Sequence, residues 1–175
     1  MVIEIAYVKT NEGFTNLVVV IDLYSRRVVG WLIQQHQTTD LVLQALLMAV
    51  WRRKPKTKLL FTLPLGICFA IARRAMEQDS QFTSIDWASF LKQYNLDHSM
   101  SRHGYCHDNA VAESFFNLLK RERVRRRTYK TRDDAKQDIF GYIEIFYLPQ
   151  RKQVRNGMLS PVEFGTRSKP NPQSV

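Results

Sequence analysis

The sequence predicts an α/β protein in which a mixed five-stranded sheet carries helices on both faces. Its 175 residues are 45% hydrophobic and 24% charged, which suits one folded domain with a sizeable core. Three strand patterns follow one another in residues 2–36, and helical patterns alternate with strand patterns afterwards. This order is typical of a sheet that begins with antiparallel strands and is covered by the helices that follow.

The first three predicted strands form an antiparallel meander. Apolar and polar residues alternate in VIEIAYVK (2–9), and turn residues follow it. The second strand, FTNLVVVIDL (14–23), is too continuously apolar for a sheet edge, so we expect it inside the sheet. The third, VVGWLIQQH (28–36), follows the short link YSRR. Asp22 lies where the second strand ends, and there a turn-capping or core-edge role is more common than metal binding.

Four helices and two further strands are predicted after residue 37. They cover, in order, residues 38–54 (helix, with Thr39 as N-cap), 57–61 (strand), 84–95 (helix), 97–101 (strand), 109–127 (helix) and 131–147 (helix, ended by Pro149). The order fits a ribonuclease-H-like fold, although other α/β arrangements share it. We expect residues 1–164 to form the core and the polar residues 165–175 to form a loose tail. The core is expected to include the three tryptophans, Trp31, Trp51 and Trp87.

The cations are clustered, which predicts a polyanionic partner such as nucleic acid. The formal net charge is +10, from 26 Lys and Arg against 16 Asp and Glu. Eight of the cations lie between Lys120 and Arg132 with a single acid, Glu122, and a second cluster, RRKPKTK, covers residues 52–58. A solvated surface also carries charge, but clustered cations favour a phosphate backbone because they release its counterions.

The cysteine and hydropathy patterns argue against secretion and membrane insertion. Cys68 and Cys106 are far apart, which suits a reducing cytoplasm rather than a disulfide framework. The N-terminal residues have the pattern of a strand and not of a secretion signal. The apolar run 59–72 has 14 residues and contains Pro64 and Gly66, so it is too short to span a bilayer. We therefore expect a cytoplasmic protein with no membrane partner.

The third predicted helix combines a polar face with an apolar one. Its polar face carries Asn109, Glu113, Asn117 and Lys120 at i, i+4, i+8 and i+11. Its buried side is expected to carry Val111, Phe115, Leu118 and Leu119. The isolated carboxylate of Glu113 has two interpretations, an ordinary surface glutamate or a ligand of a divalent cation beside phosphate-binding cations. Oxygen ligands combined with substrate phosphates suit Mg²⁺.

This helix carries the most specific motif in the chain. The segment SRHGYCHDNAVAESFFNLLKRE (101–122) resembles the C-terminal catalytic motif of bacterial insertion-sequence transposases of the second-reading-frame type, whose core is similar to that of retroviral integrases. The resemblance continues, in order, through residues 13–31, 80–91 and 147–164. It implies a ribonuclease-H-like core in which Glu113 completes a DDE-type carboxylate triad. It also implies that Lys120, seven residues later, contacts DNA.

The resemblance implies two further carboxylates, and at both positions this chain has glutamate. Glu4 occupies the place of the first aspartate, and Glu77, in AMEQDSQF, occupies the place of the second. The segment between Glu77 and Glu113 has 35 residues, the usual gap in the family, whereas Asp79 would leave 33. A glutamate reaches about 1.5 Å farther than an aspartate because it has one more methylene. Neither replacement is neutral where metal ligands must be placed closely.

A second departure from the family lies just before Glu77. Residues 62–74, TLPLGICFAIARR, resemble an insertion at the point where the family turns directly toward its second aspartate. In one alternative, residues 67–72 (ICFAIA) become the fourth strand and the preceding piece loops out. Family members also carry a helix-turn-helix region before the core. The first strand begins at residue 2 here, so we expect no sequence-specific recognition of element ends within these residues.

Three functions remain open from the sequence. The first is DNA transposition and integration, in which double-stranded DNA is cleaved and joined to a target with Glu4, Glu77 and Glu113 as catalytic ligands of Mg²⁺ or Mn²⁺. The second is a catalytically dead remnant of a transposase that binds DNA without sequence preference. The third is a small basic RNA-associated protein, which explains the charge but not the motifs.

The first two functions share one predicted DNA-binding surface. It consists of polar and basic residues of the third helix and the segment after it, namely Asn109, Asn117, Lys120, Arg121, Arg123, Arg125, Arg126 and Arg127. The family resemblance implies at least a dimer of this chain on DNA. It also implies a location in the bacterial cytoplasm, in association with the nucleoid.

Overall fold

A computed structural model describes residues 1–36, 39–54, 59–63, 84–100 and 106–167. The described strands are β1 (Val2–Thr10), β2 (Gly13–Ile21), β3 (Val28–Gln34), β4 (Leu59–Leu63) and β5 (Leu96–Met100). The described α-helices are α1 (Thr39–Arg53), α2 (Ser84–Gln93), α3 (Cys106–Glu122), α4 (Arg132–Phe140) and α5 (Pro161–Arg167). They are joined by two 3₁₀ turns (Val124–Arg126 and Val154–Asn156) and a π-helix (Gly141–Tyr147).

The strands form a mixed five-stranded sheet in the order β3-β2-β1-β4-β5. β2 pairs with β1 and with β3 in antiparallel orientation, and Glu4 on β1 lies opposite Val19 on β2. β4 pairs in parallel with β1 and with β5. β2 is thus an interior strand, and its residues 15–21 are all buried. The predicted meander and the predicted mixed sheet are confirmed.

The fourth strand is formed by the upstream segment of the apolar run. β4 begins at Leu59, its Thr62 lies opposite Val2, and the strand fills the place between β1 and β5. The alternative in which residues 67–72 supply this strand is therefore wrong. Residues 62 and 63 of the expected insertion belong to β4, and residues 64–74 lie outside the described part of the chain.

Helices cover both faces of the sheet, as predicted. One face packs against α1, where Ile3, Val18 and Val20 meet the buried Leu46 and Ala49. The opposite face packs against α3, α4 and the π-helix. The residues buried between the sheet and these helices include Val2, Ala6, Val8, Leu17, Val19, Phe115, Ile139 and Ile143. The two faces alternate along β1, because successive side chains of a strand point to opposite sides.

The predicted third helix is shorter at its C-terminal end than its pattern suggested. α3 ends at Glu122, Arg123 has non-helical dihedral angles (φ −127°, ψ −68°), and a 3₁₀ turn follows. Beyond that turn, the backbone N–H of Asn11 donates a hydrogen bond of 3.0 Å to the carbonyl oxygen of Tyr129. Tyr129 is buried at the end of β1. Because Tyr129 is anchored there, α3 ends before residue 127, where the side-chain pattern of the sequence places the end of the helix.

The predicted fourth helix changes its hydrogen-bond pattern partway. It starts with a capping box, in which Thr131 and Asp134 each accept a hydrogen bond from the other's backbone N–H. From Gly141 it continues as a π-helix, in which the N–H of Leu148 bonds to the carbonyl of Ile143 at 3.0 Å. The i to i+5 spacing of a π-helix buries Tyr142 and Tyr147 on one side.

Other boundaries and burial predictions also shift. Trp31 is buried, but Trp51 is 67% exposed at the end of α1, so its predicted place in the core is wrong. The side chain of Trp87 lies outside the described part of the structure. α5 extends to Arg167, three residues past the predicted boundary at 164, and residues 168–175 are likewise not described. Among the helices that are described, none is long and apolar enough to cross a membrane.

Candidate active site

Glu4 occupies a core-facing position of β1. Its neighbours on the same face, Val2, Ala6 and Val8, are buried against α3 and α4. Alternation along the strand therefore directs Glu4 toward the face that α3 covers. The residue is half-buried, and its Oε2 atom lies out of contact with solvent. A carboxylate at this position interrupts an apolar stripe, which is costly in a purely structural role.

α3 presents a polar edge to this face of β1. The side chains of Glu113 and Asn117 are exposed and Lys120 is half-buried, as predicted for the polar face. The buried side is formed by Val111, Ala112, Phe115, Phe116 and Leu119. Leu118 is only half-buried, so the prediction of full burial is wrong at that position. The helix is anchored by Phe115, whose ring meets that of Tyr147 edge-on at 4.9 Å.

The two predicted carboxylates of β1 and α3 line one cavity. Its volume is about 290 Å³, and its wall consists of Glu4, Ile5, Ala6, Glu113, Phe116, Asn117 and Lys120. A neighbouring depression of about 350 Å³ also includes Glu113 and Asn117 and extends to Arg121. Residues that are more than 100 positions apart in the chain are thus brought together with an ammonium group beside them.

The third predicted carboxylate, Glu77, and its alternative, Asp79, lie outside the described residues. Asn109 belongs to the first turn of α3, and its side chain is also undescribed. In the ranges that the structure covers, no three His, Cys, Asp or Glu side chains come together as a metal-binding group. The described part of the site therefore contributes two carboxylates, Glu4 and Glu113.

The predicted DNA-binding arginines after α3 divide into two groups. Arg125 and Arg126 are exposed on the 3₁₀ turn. Arg123 and Arg127 approach one carboxylate oxygen of Asp138 on α4, at 3.7 Å and 2.7 Å. The Tyr129 hydroxyl donates to the other oxygen at 2.8 Å. Burial, together with this hydrogen bond to the carboxylate, raises the pKa of Tyr129 above its ordinary value, so the hydroxyl keeps its proton.

A second carboxylate, Glu122, holds the C-terminal end of α3 in place through contacts with Tyr142 and Arg151. Arg151 Nη1 contacts both of its oxygens, at 2.5 Å and 2.6 Å, and the Tyr142 hydroxyl donates to Oε2 at 2.9 Å. All three groups are largely buried or half-buried. Nothing in the local pattern pairs Glu122 with Arg151, because the partners meet only when the π-helix packs beside α3. Sequence reasoning missed both Glu122 and Asp138 as anchors.

Asp22 has the turn-capping role that the sequence predicted. Its Oδ2 accepts hydrogen bonds from the Ser25 hydroxyl at 2.6 Å and the Ser25 N–H at 3.1 Å, and its Oδ1 pairs with Arg53. Burial raises the pKa of Asp22, but the hydrogen bonds and the positive charge of Arg53 outweigh burial and hold it below its ordinary value. Asp22 is thus a structural carboxylate, and it does not line the cavity.

Comparison with known proteins places this geometry in a family. Two segments of the chain, residues 1–106 and 113–168, match models of the integrase core domain. Transposase InsF for insertion sequence IS3A of Escherichia coli (strain K12) is 37% identical over 166 residues, which are 94% of this chain and 53% of that protein. The transposase for insertion sequence element IS904 of Lactococcus lactis subsp. lactis (strain IL1403) is 35% identical over 161 residues, which are 92% of this chain and 58% of that protein.

A solved structure shares the fold. The match is a chain in the cryoEM structure of the simian T-cell lymphotropic virus intasome in complex with PP2A regulatory subunit B56 gamma, with a TM-score of 0.63 and 12% identity. It covers 99% of this chain and 57% of that one, which confirms the predicted ribonuclease-H-like fold. The chain spans about half the length of the curated relatives it matches. The protein belongs to the integrase core domain family, and its resemblance to insertion-sequence transposases is confirmed.

Proposed function

We propose that this chain is the catalytic core of an insertion-sequence transposase that cleaves double-stranded DNA and joins the ends to a target. The observation that carries the proposal is the cavity that Glu4 and Glu113 line together with Lys120. The relatives are named transposases, which favours DNA over RNA as the substrate. A DNA-associated place in the bacterial cytoplasm and assembly of two or more copies on DNA belong to the same proposal.

Glu4 and Glu113 would hold a divalent cation, Mg²⁺ or Mn²⁺, with Glu77 proposed as the third ligand. The donor set fits, because Mg²⁺ in proteins is often bound by one or two carboxylates together with substrate phosphates. When bound, the cation stabilises negative charge that develops on phosphate oxygens. Both carboxylates line a single concave surface that is open to a polymeric substrate.

The remaining residues of the cavity bind and orient the DNA backbone. The Lys120 ammonium attracts a phosphate, and the Asn117 amide donates hydrogen bonds to its oxygens. Ile5, Ala6 and Phe116 form the apolar part of the wall and limit water at the reacting phosphate. The exposed Arg125 and Arg126 continue the positive surface beyond the end of α3.

A DNA-binding remnant without cleavage is the second candidate. It is favoured by the extra methylene of Glu4 relative to aspartate, since metal ligands must lie within about half an ångström of their productive places. The exposed arginines after α3 do not depend on the metal site, so they would bind DNA in either case. Cleavage therefore separates the two candidates, whereas DNA binding does not.

The proposed activity is tested by nicking of supercoiled plasmid in Mg²⁺ and in Mn²⁺. We expect nicking that requires the metal and falls by at least about 100-fold in Glu113→Gln, because one ligand charge is lost. Asp133→Asn is the matched control, since Asp133 is exposed on α4 and does not line the cavity. Nicking that is equal in all three proteins would point to a contaminant. Binding of the plasmid without nicking would support the second candidate, a transposase remnant that binds DNA but does not cleave it.

A further inference from the structure

A second basic surface lies away from the cavity. We define it by Tyr24 and Arg26 of the turn after β2 and by Lys152 and Arg155 near the second 3₁₀ turn. The two segments are joined by a buried hydrogen bond of 2.9 Å from Asn156 Nδ2 to the carbonyl of Ser25. None of the four surface residues lines the cavity or the neighbouring depression.

The joining contacts hold Arg26 and Arg155 close together. Ser25 and Asn156 are their chain neighbours, and the Tyr147 hydroxyl donates to the Arg26 carbonyl at 3.0 Å. Arg26 also has a left-handed backbone (φ 61°), which is uncommon for a non-glycine residue. Burial, and next to it the charge of Arg155, lower the pKa of Arg26 below its ordinary value. The fold thus places an uncommon backbone conformation and the repulsion between two like charges at one position, Arg26.

No carboxylate forms an ion pair with Arg26 or Arg155 within the described residues. Elsewhere on the molecule arginines are paired, as in Arg52 with Glu144, Arg53 with Asp22, Arg127 with Asp138 and Arg151 with Glu122. Neither Arg26 nor Arg155 has an ion pair in the part of the chain that the structure covers. Two guanidinium groups whose charges interact, and which have no ion-pair partner among the described residues, suit an external phosphate, because it accepts paired hydrogen bonds from arginine.

An exposed aromatic ring lies at the edge of the same surface. Tyr24 is 65% exposed, and its ring packs against that of Phe164 at 5.2 Å. The contact with α5 keeps the ring in place while leaving most of it open to solvent. Cations combined with an open aromatic ring are typical of surfaces that bind the nucleic acid backbone and stack on unpaired bases.

We propose that the second basic surface binds the phosphodiester backbone of a DNA segment distinct from the one held at Glu113 and Lys120. The proposal rests on the proposed function, since it assumes that DNA is the substrate. Arg26 and Arg155 hold one phosphate between them, and Lys152 contacts a neighbouring one. An enzyme that joins two DNA molecules must hold both, and two separate basic surfaces allow it to do so.

The test measures binding of a short labelled duplex over a range of salt concentrations. The main variant is Lys152→Gln with Arg155→Gln, because both side chains are exposed and their loss does not disturb the core. We expect affinity to fall and the slope of log affinity against log salt to decrease by about 1 to 2, because the phosphate contact of Lys152 is lost and Arg26 alone remains on the shared phosphate. Arg26→Gln is a second variant and is expected to lower the slope by no more than about 1, because Arg155 remains on that phosphate.

Two comparison variants separate this proposal from the proposed function. Lys92→Gln with Lys136→Gln removes two exposed charges elsewhere and is expected to leave the slope nearly unchanged. Arg125→Gln with Arg126→Gln weakens the surface after α3. If that variant loses affinity while the Lys152 and Arg155 variant matches the lysine control, the second surface is refuted and DNA binding by the core stands. If the wild-type protein does not bind DNA, both proposals fail.

Two forms of DNA distinguish what occupies the second surface. A single strand would stack on Tyr24, so Tyr24→Leu would weaken single-strand binding about tenfold, as expected for the loss of one stacked base. A duplex has no unpaired base to offer, and its binding would be unchanged by Tyr24→Leu. Either outcome for Tyr24→Leu is compatible with a phosphodiester ligand at the second basic surface. If Lys152→Gln with Arg155→Gln changes the binding of neither single-stranded nor duplex DNA, the proposal is overturned.

Discussion

Two carboxylates of the sheet region, Asp22 and Glu4, have different surroundings in this protein. Asp22 is buried, and Ser25 and Arg53 supply its hydrogen bonds and its counter-charge. Glu4 lines a cavity together with Glu113. The role of Asp22 could be predicted from its place at a turn. Glu4 was identified only through the family motif, because an isolated glutamate in a strand pattern has no distinctive spacing.

The role of Asp22 predicts a pH-dependent loss of stability in Asp22→Asn. At neutral pH we expect the variant to lose about 1–3 kcal/mol of the free energy of unfolding, because a half-satisfied buried cluster remains. The folded-state pKa of Asp22 lies below its ordinary value of 3.8, so the stabilisation is full above that value and is lost as pH falls through the folded-state pKa. Urea unfolding of both proteins from pH 7 to pH 3 measures the difference.

The control for this prediction is Asp133→Asn, in the exposed first turn of α4. It is expected to change the free energy of unfolding by less than about 0.5 kcal/mol. If the difference in the free energy of unfolding between wild type and Asp22→Asn stays constant or widens below pH 3.8, the assigned role of the Asp22 carboxylate is contradicted.

At the level of elements, the contact between α1 and β3 depends on a glycine. A Cβ added to Gly30 would collide with the backbone carbonyl of Ala45, so the helix lies directly on the strand backbone. Gly141 is different, because it is helical (φ −58°) and an added Cβ would meet nothing within 4 Å. Gly30 and Gly141 can therefore be compared by the same substitution, because an added methyl group is excluded at one and accommodated at the other.

Replacement of these glycines by alanine should have opposite effects on stability. Gly30→Ala is expected to lower the free energy of unfolding by about 1–3 kcal/mol or more, because α1 must move away from the sheet. Gly141→Ala is expected to raise it by about 0.5–1 kcal/mol, because alanine favours the helical state. Thermal unfolding followed by circular dichroism measures both. A stable Gly30→Ala protein would show that α1 does not approach β3 as described.

Element types were predictable from the sequence, but two helix ends were not. The apolar spacing of α3 and the capping residue Thr131 of α4 are local signals, and both helices form where they were expected. The break at Arg123 and the change to a π-helix at Gly141 depend on distant partners. Tyr129 reaches the end of β1, and Tyr142 and Tyr147 pack beside Phe115. Such contacts leave no trace in a local pattern.

For the molecule as a whole, the sheet order is what assembles the site. β1 lies between β2 and β4, and α3 packs on the face of β1 that carries Glu4, so Glu4 and Glu113 line one cavity. The family motif predicted this meeting, and the described structure brings the two residues together. The place of Glu77 stays a prediction, since the residue lies outside the described ranges. The anchors Glu122 and Asp138 were not foreseen, because their arginine partners come from other elements.

The central claim, that Glu4 and Glu113 together hold a divalent cation, is tested most directly by Mn²⁺ binding. Titration of the protein with Mn²⁺, followed by the electron paramagnetic resonance signal of the free ion, yields the affinity without requiring DNA or activity. We predict that Glu4→Gln and Glu113→Gln each weaken binding by at least about tenfold, and that Asp133→Asn binds as the wild type does. Equal binding by all four proteins, or no binding by the wild type, would contradict the claim.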